Sequence, residues 1–247
     1  MMALKYVNFK DYETASYFYQ RCLDVSTEFK YIEGEAKAHR GLGICEEKVF
    51  NKFPAMQHLE TALEKAKSGE LPNLVREMQR DLVRVYQMIA NEHLERNEFD
   101  MSLQFFQKCL QVAQEAEKMK DIEASCYQQI GMIYETQGEL DAAIEQREQF
   151  LDLCKQENDR PQQIEAHKLL AETYGKADDT SKAIKHLMEV LNLCHEEPSM
   201  EGQQSEATLK LGLLHYKPGP KHSIKHAGDY LATHFSLIRH GETKNSR

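Results

Sequence analysis

The sequence predicts an all-α solenoid in which pairs of antiparallel helices repeat along the chain. Three regularities predict it. A small residue recurs at intervals of 40 to 47 residues, a second small residue recurs upstream of each, and proline or glycine separates the repeats. One such helix pair cannot bury its apolar faces alone, so we expect neighbouring pairs to stack and share a core.

The second helix of each predicted pair is marked by a small anchor residue with leucine eight positions later. Successive anchors lie 40, 47, 41, 40 and 40 residues apart. Apolar residues also follow several anchors at offsets of one and four, and offsets of one, four and eight share one helical face. The six pairs are Ala15–Leu23, Ala55–Leu63, Ser102–Leu110, Ala143–Leu151, Ala183–Leu191 and Ser223–Leu231.

The first helix of each pair is marked by a small residue twelve positions before the anchor, with a one-residue slip in the last repeat. Glycine lowers helix propensity, so we interpret these positions as places where a neighbouring helix approaches closely. They are Gly43, Ala90, Gly131, Ala171 and Gly212.

Helix breakers lie between the predicted helices. Pro72, Pro161 and Pro198 fall between repeats, and Gly138 falls between the two helices of a pair. Proline cannot continue the backbone hydrogen-bond ladder, so these positions predict helix boundaries.

These residues resemble the tetratricopeptide repeat, whose pattern contains leucine-glycine, a tyrosine, an alanine, a bulky residue and a late proline. Residues 126–157 and 167–198 show the resemblance best. It implies a right-handed superhelical solenoid, with one array over residues 1–238 and a disordered tail over residues 239–247. The array would hold about five full units after a partial first unit.

The 40-residue period is similar to that of the extended-helix subclass of this family, which includes spindle-orientation adaptors and kinesin light chains. Residues 75–117 look most like its axonemal members, which are associated with cilia and sperm flagella.

Composition excludes several classes of partner. The formal net charge of −9 argues against nucleic-acid binding, because phosphate contacts depend on lysine and arginine. No apolar run approaches the roughly 18–20 residues that a membrane span needs.

The six cysteines contain no C-x-x-C pair, so we expect reduced thiols in a cytoplasmic protein, without cofactor or metal. Cys22 with Cys109, and Cys154 with Cys194, recur at equivalent repeat positions and are predicted to lie in the core.

The family resemblance also implies a partner-binding groove lined by first helices. We expect an acidic or amphipathic segment to dock against Lys37, Arg40 and Arg84, and the alternative is a solvated face of mixed charge. Only Asn91 fits the asparagine position of the family's chaperone-tail clamp, which argues against chaperone binding. The predicted groove residues are Lys37, Arg40, Ile44, Lys48, Arg84, Gln87, Asn91, Gln128, Met132, Lys168 and Glu172.

Two motifs point to chemistry. Residues 237–243, LIRHGET, resemble the signature of histidine phosphatases, which would make His240 the phosphoryl acceptor. That motif needs a strand before it and a long α/β domain after it, whereas four residues follow Thr243. His222 and His226 lie four apart, but no glutamate in the protease arrangement lies between them, so we predict an unliganded pair.

The sequence therefore predicts a non-catalytic scaffold for protein–protein interaction. The resemblance favours an axonemal or ciliary adaptor that supports cilium or sperm-flagellum assembly and motility, with axonemal dynein or ciliary-transport subunits as partners. A cytosolic adaptor for spindle orientation or motor cargo is the alternative, and a histidine-phosphatase-like enzyme is the third possibility.

Overall fold

The computed structural model describes residues 2–116, 118–195, 201–216 and 223–245, which form twelve α-helices and no strand. The predicted fold class, an all-α, TPR-like solenoid of antiparallel helix pairs, is confirmed. The helices are α1 (Met2–Asn8), α2 (Tyr12–Glu28), α3 (Ile32–Lys48), α4 (Lys52–Ser68), α5 (Pro72–Glu95), α6 (Phe99–Glu115), α7 (Lys120–Gln137), α8 (Leu140–Gln156), α9 (Arg160–Lys176), α10 (Thr180–His195), α11 (Glu201–Tyr216) and α12 (Ile224–Asn245).

The helices group into two compact units, Met1–Cys126 and Tyr127–Arg247. In the first unit α3 packs on α4 and α5 on α6; in the second unit α9 packs on α10 and α11 on α12. Short turns between paired helices make them antiparallel neighbours. Helix α12 continues to Asn245, past the end of the predicted array at residue 238. A single array and a disordered tail stay predictions.

The anchor residues lie where the helices of a pair meet. Ala15, Ala55, Ser102, Ala143 and Ala183 are all 0% exposed, and each is the fourth residue of its helix. A larger side chain at any of them would separate the two helices.

The small residues of the first helices face these anchors, as predicted. A Cβ atom built on Gly43 would lie 2.8 Å from Cγ of Leu59 and 3.1 Å from the carbonyl oxygen of Ala55. Ser102 closes the equivalent contact in the next pair by donating its hydroxyl to the carbonyl oxygen of Ala90, at 2.9 Å.

Gly43→Val is expected to lower the free energy of unfolding by about 2 kcal/mol, because the added carbons have no room in this contact. Urea denaturation followed by circular dichroism measures the change. Gly228→Val is the matched control, since no atom lies within 4 Å of a Cβ built on this exposed glycine of α12. Equal losses in the two variants would refute close packing at Gly43.

The last repeat is anchored one turn later than the sequence predicts. Gly212 faces Ala227 and Leu231, and Ala227 is the fourth residue of its helix, like the other anchors. Ser223 precedes the helix, and its hydroxyl accepts from the backbone N–H of His226 at 3.3 Å. The prediction of Ser223 as the anchor was wrong because residues four apart share a helical face, so a shift of one turn leaves the apolar pattern intact.

The 47-residue interval between the second and third anchors has a simple cause. Helix α5 contains 24 residues, whereas α3 and α9 contain 17 each. The seven extra residues add about two helical turns, so the same face of α5 still meets its neighbours.

The turn from the first to the second helix repeats one conformation in the five pairs from α1–α2 to α9–α10. Lys10, Phe50, Asn97, Gly138 and Asp178 all have positive φ, between 57° and 82°. In each of these turns the following backbone N–H bonds a carbonyl oxygen in the last turn of the first helix, which is typical of a Schellman helix end. Gly138 alone among them has no Cβ to strain this left-handed backbone.

Candidate functional site

The predicted groove residues lie on the first helices α3, α5, α7 and α9, and none is buried. Ile44, Asn91, Met132 and Glu172 follow the small residue of their helix by one position and are at least partly exposed. We call the surface on which these residues lie the first-helix face. It is formed by α3 and α5 in the first unit, and by α7, α9 and α11 in the second. That this face binds a partner stays a prediction.

The cations of the first unit already have partners on the same face. The Arg40 side chain of α3 donates to Asp81 of α5 at 2.6 Å and to Glu77. Arg84 of α5 donates in the reverse direction, to Glu47 of α3 at 2.5 and 3.0 Å. The two arginines therefore join α3 to α5 through crossed ion pairs.

Glu47 is buried, at 6% exposure, as is Asp81 in the same network. Burial works to raise the pKa of the Glu47 carboxyl group, but the Arg84 guanidinium and the Lys48 ammonium outweigh that effect, and the net pKa is lowered. A lowered pKa keeps Glu47 ionised and paired at neutral pH.

Lys37 and Lys48 are more exposed. Lys37 contacts Glu33, one turn earlier in α3, at 2.5 Å, and Lys48 contacts the neighbouring Glu47 at 3.4 Å. Exposed pairs of this kind contribute little to stability, typically under about 1 kcal/mol.

The second unit repeats the arrangement with other residues. Lys176 of α9 contacts Glu135 of α7 at 2.6 Å. Lys168 of α9 contacts Glu206 of α11 at 2.8 Å, and Lys210 of α11 contacts Glu172 of α9 at 2.6 Å. Ion pairs between residues about one repeat apart therefore join successive first helices in each unit.

The sequence analysis found only part of this network. Glu172 was predicted as a groove residue, but its partner Lys210 was not. Asp81, Glu77 and Glu206 were also missed, although each lies 37 to 41 residues from its cationic partner. An acid and a base one repeat apart on first helices are the signal that could have revealed them.

A second repeated contact lies inside the helix pairs. The Nδ1 atoms of His39 and His58 are 3.2 Å apart, and those of His167 and His186 are 2.9 Å apart. Both pairs join a first helix to its second helix across 19 residues of sequence. Burial is the main cause of the lowered pKa of all four imidazoles, so we expect them to be neutral at pH 7.

The motifs for catalysis and metal binding do not form sites in the described part of the chain. Residues 237–243 belong to helix α12, where the phosphatase motif needs a strand. The side chain of His240 and the whole of His222 lie outside the described residues. Among the described residues no cluster of three or more His, Cys, Asp or Glu side chains could hold a metal ion.

The cysteines are free thiols, and all but one are buried. Cys109, Cys154 and Cys194 lie in the core, as predicted. Cys22 is exposed, so its predicted core position was wrong. The shared repeat position fails there because α1, the helix that packs against α2, has only 7 residues and covers less of α2 than a full-length first helix would.

Among the helices that the structure describes, none combines the length and the apolar character that a membrane-spanning segment requires.

Comparison of the sequence with known families finds tetratricopeptide repeats in two regions, residues 83–116 and 123–195. Curated relatives named tetratricopeptide repeat protein 29 share 23% identity over 78% of this chain in Macaca fascicularis and 22% over 78% in Homo sapiens. The relative of that name in Trypanosoma brucei brucei shares 24% over 85%. The chain spans less than half of their length, 42 to 43%.

Solved structures support the same fold at low sequence identity. The crystal structure of BtubC (BKLC) from P. vanneervenii has a TM-score of 0.55 and 16% identity, covering 94% of this chain and 92% of that one. The apo form of RapI has a TM-score of 0.50 and 16% identity, covering 94% of this chain and 62% of that one. The repeat spacing, the paired helices and these matches together show that the chain contains tetratricopeptide repeats and is similar to proteins named tetratricopeptide repeat protein 29.

Proposed function

We propose that this protein is a non-catalytic scaffold that holds segments of other proteins against its first-helix face. The observation that carries the proposal is the network of ion pairs between successive first helices. Within each unit it fixes the spacing of these helices and leaves exposed positions beside them, Ile44 and Asn91 in the first unit and Met132 and Glu172 in the second. A supported helical face of this kind suits a peptide or a partner helix.

We propose further that the assembly is ciliary, with axonemal dynein or ciliary-transport subunits as partners in the axoneme. The resemblance of residues 75–117 to axonemal members of the family supports this, as do three relatives that share the name tetratricopeptide repeat protein 29. Affinity purification of the whole chain from ciliated cells, followed by mass spectrometry, tests it. Recovery of cortical polarity proteins or kinesin in place of axonemal subunits would favour the cytosolic adaptor.

The first unit offers a cationic docking point for an acidic segment at Lys37, Arg40 and Arg84. Each of these cations contacts a carboxylate, so an acidic segment would share or displace Glu33, Asp81 or Glu47. Lys37 is the most accessible of the three, with 46% of its side chain exposed.

Exchanging Lys37 and Glu33 is expected to weaken capture of the ciliary partners at least threefold while leaving the fold intact. The Lys37→Glu/Glu33→Lys variant keeps an ion pair one helical turn apart but reverses the charge at the docking point. Quantitative mass spectrometry of captured subunits measures the effect. The control exchanges Lys155 and Asp152, a similarly exposed pair on α8. Unchanged capture by the Lys37 variant would contradict docking there.

A further inference from the structure

The second unit contains an apolar pocket on its first-helix face. A cavity of about 240 Å³ opens between α9, α10 and α11, and its apolar lining comes from Ala171, Gly175, Leu187, Leu213 and Leu214. An apolar cavity of about 150 Å³ can hold a benzene-sized group, so this pocket has room for one large side chain.

The pocket exists because a glycine stands where other repeats have a larger residue. Four positions after the small residue of the first helix lie Glu47, Leu94 and Glu135, and the equivalent residue of α9 is Gly175. Glu47 and Glu135 occupy this position with carboxylates held by Arg84 and by Lys176. At Gly175 no atom lies within 4 Å of a built Cβ, so the space is open.

Leu213 gives the pocket an exposed apolar wall. It follows the small residue Gly212 by one position, which is the position of Ile44 and Met132 in the earlier repeats, and 53% of it is exposed. Leu187, by contrast, is 1% exposed and forms the floor. An exposed leucine beside a buried one favours binding of an apolar group from outside the unit.

The most accessible charges beside the pocket are carboxylates. Glu172 and Lys210 line the pocket, and Lys210 contacts both Glu172 and Glu206, while Lys168 also contacts Glu206. The glutamates are the more exposed partners, with 46% and 41% of their side chains accessible against 30% and 18% for the lysines. Accessible carboxylates at this edge favour a ligand with positive groups next to its apolar side chain.

We propose that this pocket binds one large aliphatic side chain of a partner protein segment whose flanking residues are basic. The proposal rests on the scaffold function and names the chemistry that the second unit selects. The aliphatic side chain enters beside Gly175 and packs on Leu187 and Leu213, while the flanking cations contact Glu172 and Glu206.

Peptide titration followed by nuclear magnetic resonance tests the proposal. The probe is the peptide KKSLSKK, and two comparison peptides replace the leucine by alanine or all four lysines by glutamate. We expect the leucine peptide to bind tenfold or more tightly than the alanine peptide, since burial of the extra methylene groups is lost. We expect the methyl signals of Leu187 and Leu214 to shift on binding. Equal affinity for the leucine and alanine peptides, or for the lysine and glutamate peptides, would overturn the proposal.

Gly175→Leu fills the pocket from within and is expected to reduce binding of KKSLSKK at least tenfold. The matched control is Gly228→Leu, which adds the same side chain to an exposed glycine of α12 where no atom lies within 4 Å. Binding by Gly175→Leu at wild-type affinity would refute the pocket.

The capture experiment separates this proposal from the ciliary one. If the wild-type chain binds KKSLSKK selectively but captures no ciliary protein, the pocket stands and the ciliary assignment fails. If Gly175→Leu captures the same ciliary proteins at the same level but the peptide shows no selectivity, the pocket fails and the scaffold stands.

Discussion

Arg147→Ala is expected to lower the free energy of unfolding by about 3 kcal/mol, because it removes one of the two cationic partners of a partly buried carboxylate. Arg147 is 3% exposed and lies four residues after the anchor Ala143, where other repeats have Leu59 or Leu187. An arginine thus occupies an apolar core position of this repeat.

The guanidinium of Arg147 is satisfied within the second unit. It donates to the carbonyl oxygen of Leu169 at 2.8 Å and to the carboxylate of Glu135, which Lys176 also contacts. Burial works to raise the pKa of Glu135, but Lys176 and Arg147 outweigh it and the net pKa is lowered. Removing Arg147 therefore leaves the partly buried carboxylate of Glu135 with one cationic partner, Lys176, where it had two.

The double variant Arg147→Leu/Glu135→Leu separates loss of the ion pair from loss of packing. Leucine is the residue found at the equivalent positions of other repeats, Leu59 and Leu94, so we expect the double variant to recover most of the stability. Urea denaturation followed by circular dichroism measures all three proteins. The exposed pair Lys155–Asp152, broken by Lys155→Ala, is the control and should cost less than about 0.5 kcal/mol. A loss below about 1 kcal/mol for Arg147→Ala would contradict a structural role for this pair.

Acidification from pH 7 to pH 5 is expected to destabilise the protein by about 2 kcal/mol through His167 alone. Burial, followed by the nearby His186 and Lys155, lowers the pKa of His167 from 6.5 to about 4. The folded imidazole stays neutral over this range, whereas the unfolded chain binds a proton below pH 6.5. The resulting penalty is therefore small at pH 7, grows as the pH falls through 6.5, and levels off below about pH 4.

The surroundings of the pair explain why protonation is unfavourable. The Nδ1 atoms of His167 and His186 are 2.9 Å apart, so one neutral ring can donate its N–H to the other. If both rings were protonated, two positive charges would lie side by side and repel. Tyr174 stacks on His186 and donates its hydroxyl to Glu148 at 3.1 Å, while Lys155, Lys185 and Glu189 act on the pair from farther away. Glu148 and Glu189 partly oppose the lowered pKa of His186, since they favour its charged form.

His167→Asn tests this assignment by its effect on the pH dependence. Stability measured by urea denaturation at pH 7, 6 and 5 should fall less steeply for the variant than for the wild type. His39→Asn is the matched comparison, because His39 and His58 form the equivalent pair in the first unit and also have a lowered pKa. Identical slopes for wild type and His167→Asn would show that this histidine does not titrate on unfolding.

The sequence alone determined the repeat and most of its helices. Positions such as Ala55 and Gly43 could be recognised because a helix places residues of fixed spacing on one face, so a contact that recurs in every repeat leaves a recurring residue type. The assignment of Ile44, Asn91 and Met132 to the first-helix face came from the family resemblance, which supplied the offsets of these positions from the anchors.

The pairing of side chains between helices was decided only by the tertiary structure. Sequence spacing shows which face Arg40 and Arg84 occupy, but their partners Asp81 and Glu47 lie on another helix about 40 residues away. Ser223 was taken for an anchor because a one-turn shift preserves the apolar face, and only the contact of Gly212 with Ala227 and Leu231 fixes the register. The pocket beside Gly175 likewise depends on how α9, α10 and α11 pack next to a residue that has no side chain. Helical periodicity fixes the direction of each side chain, whereas its partner depends on how the helices dock.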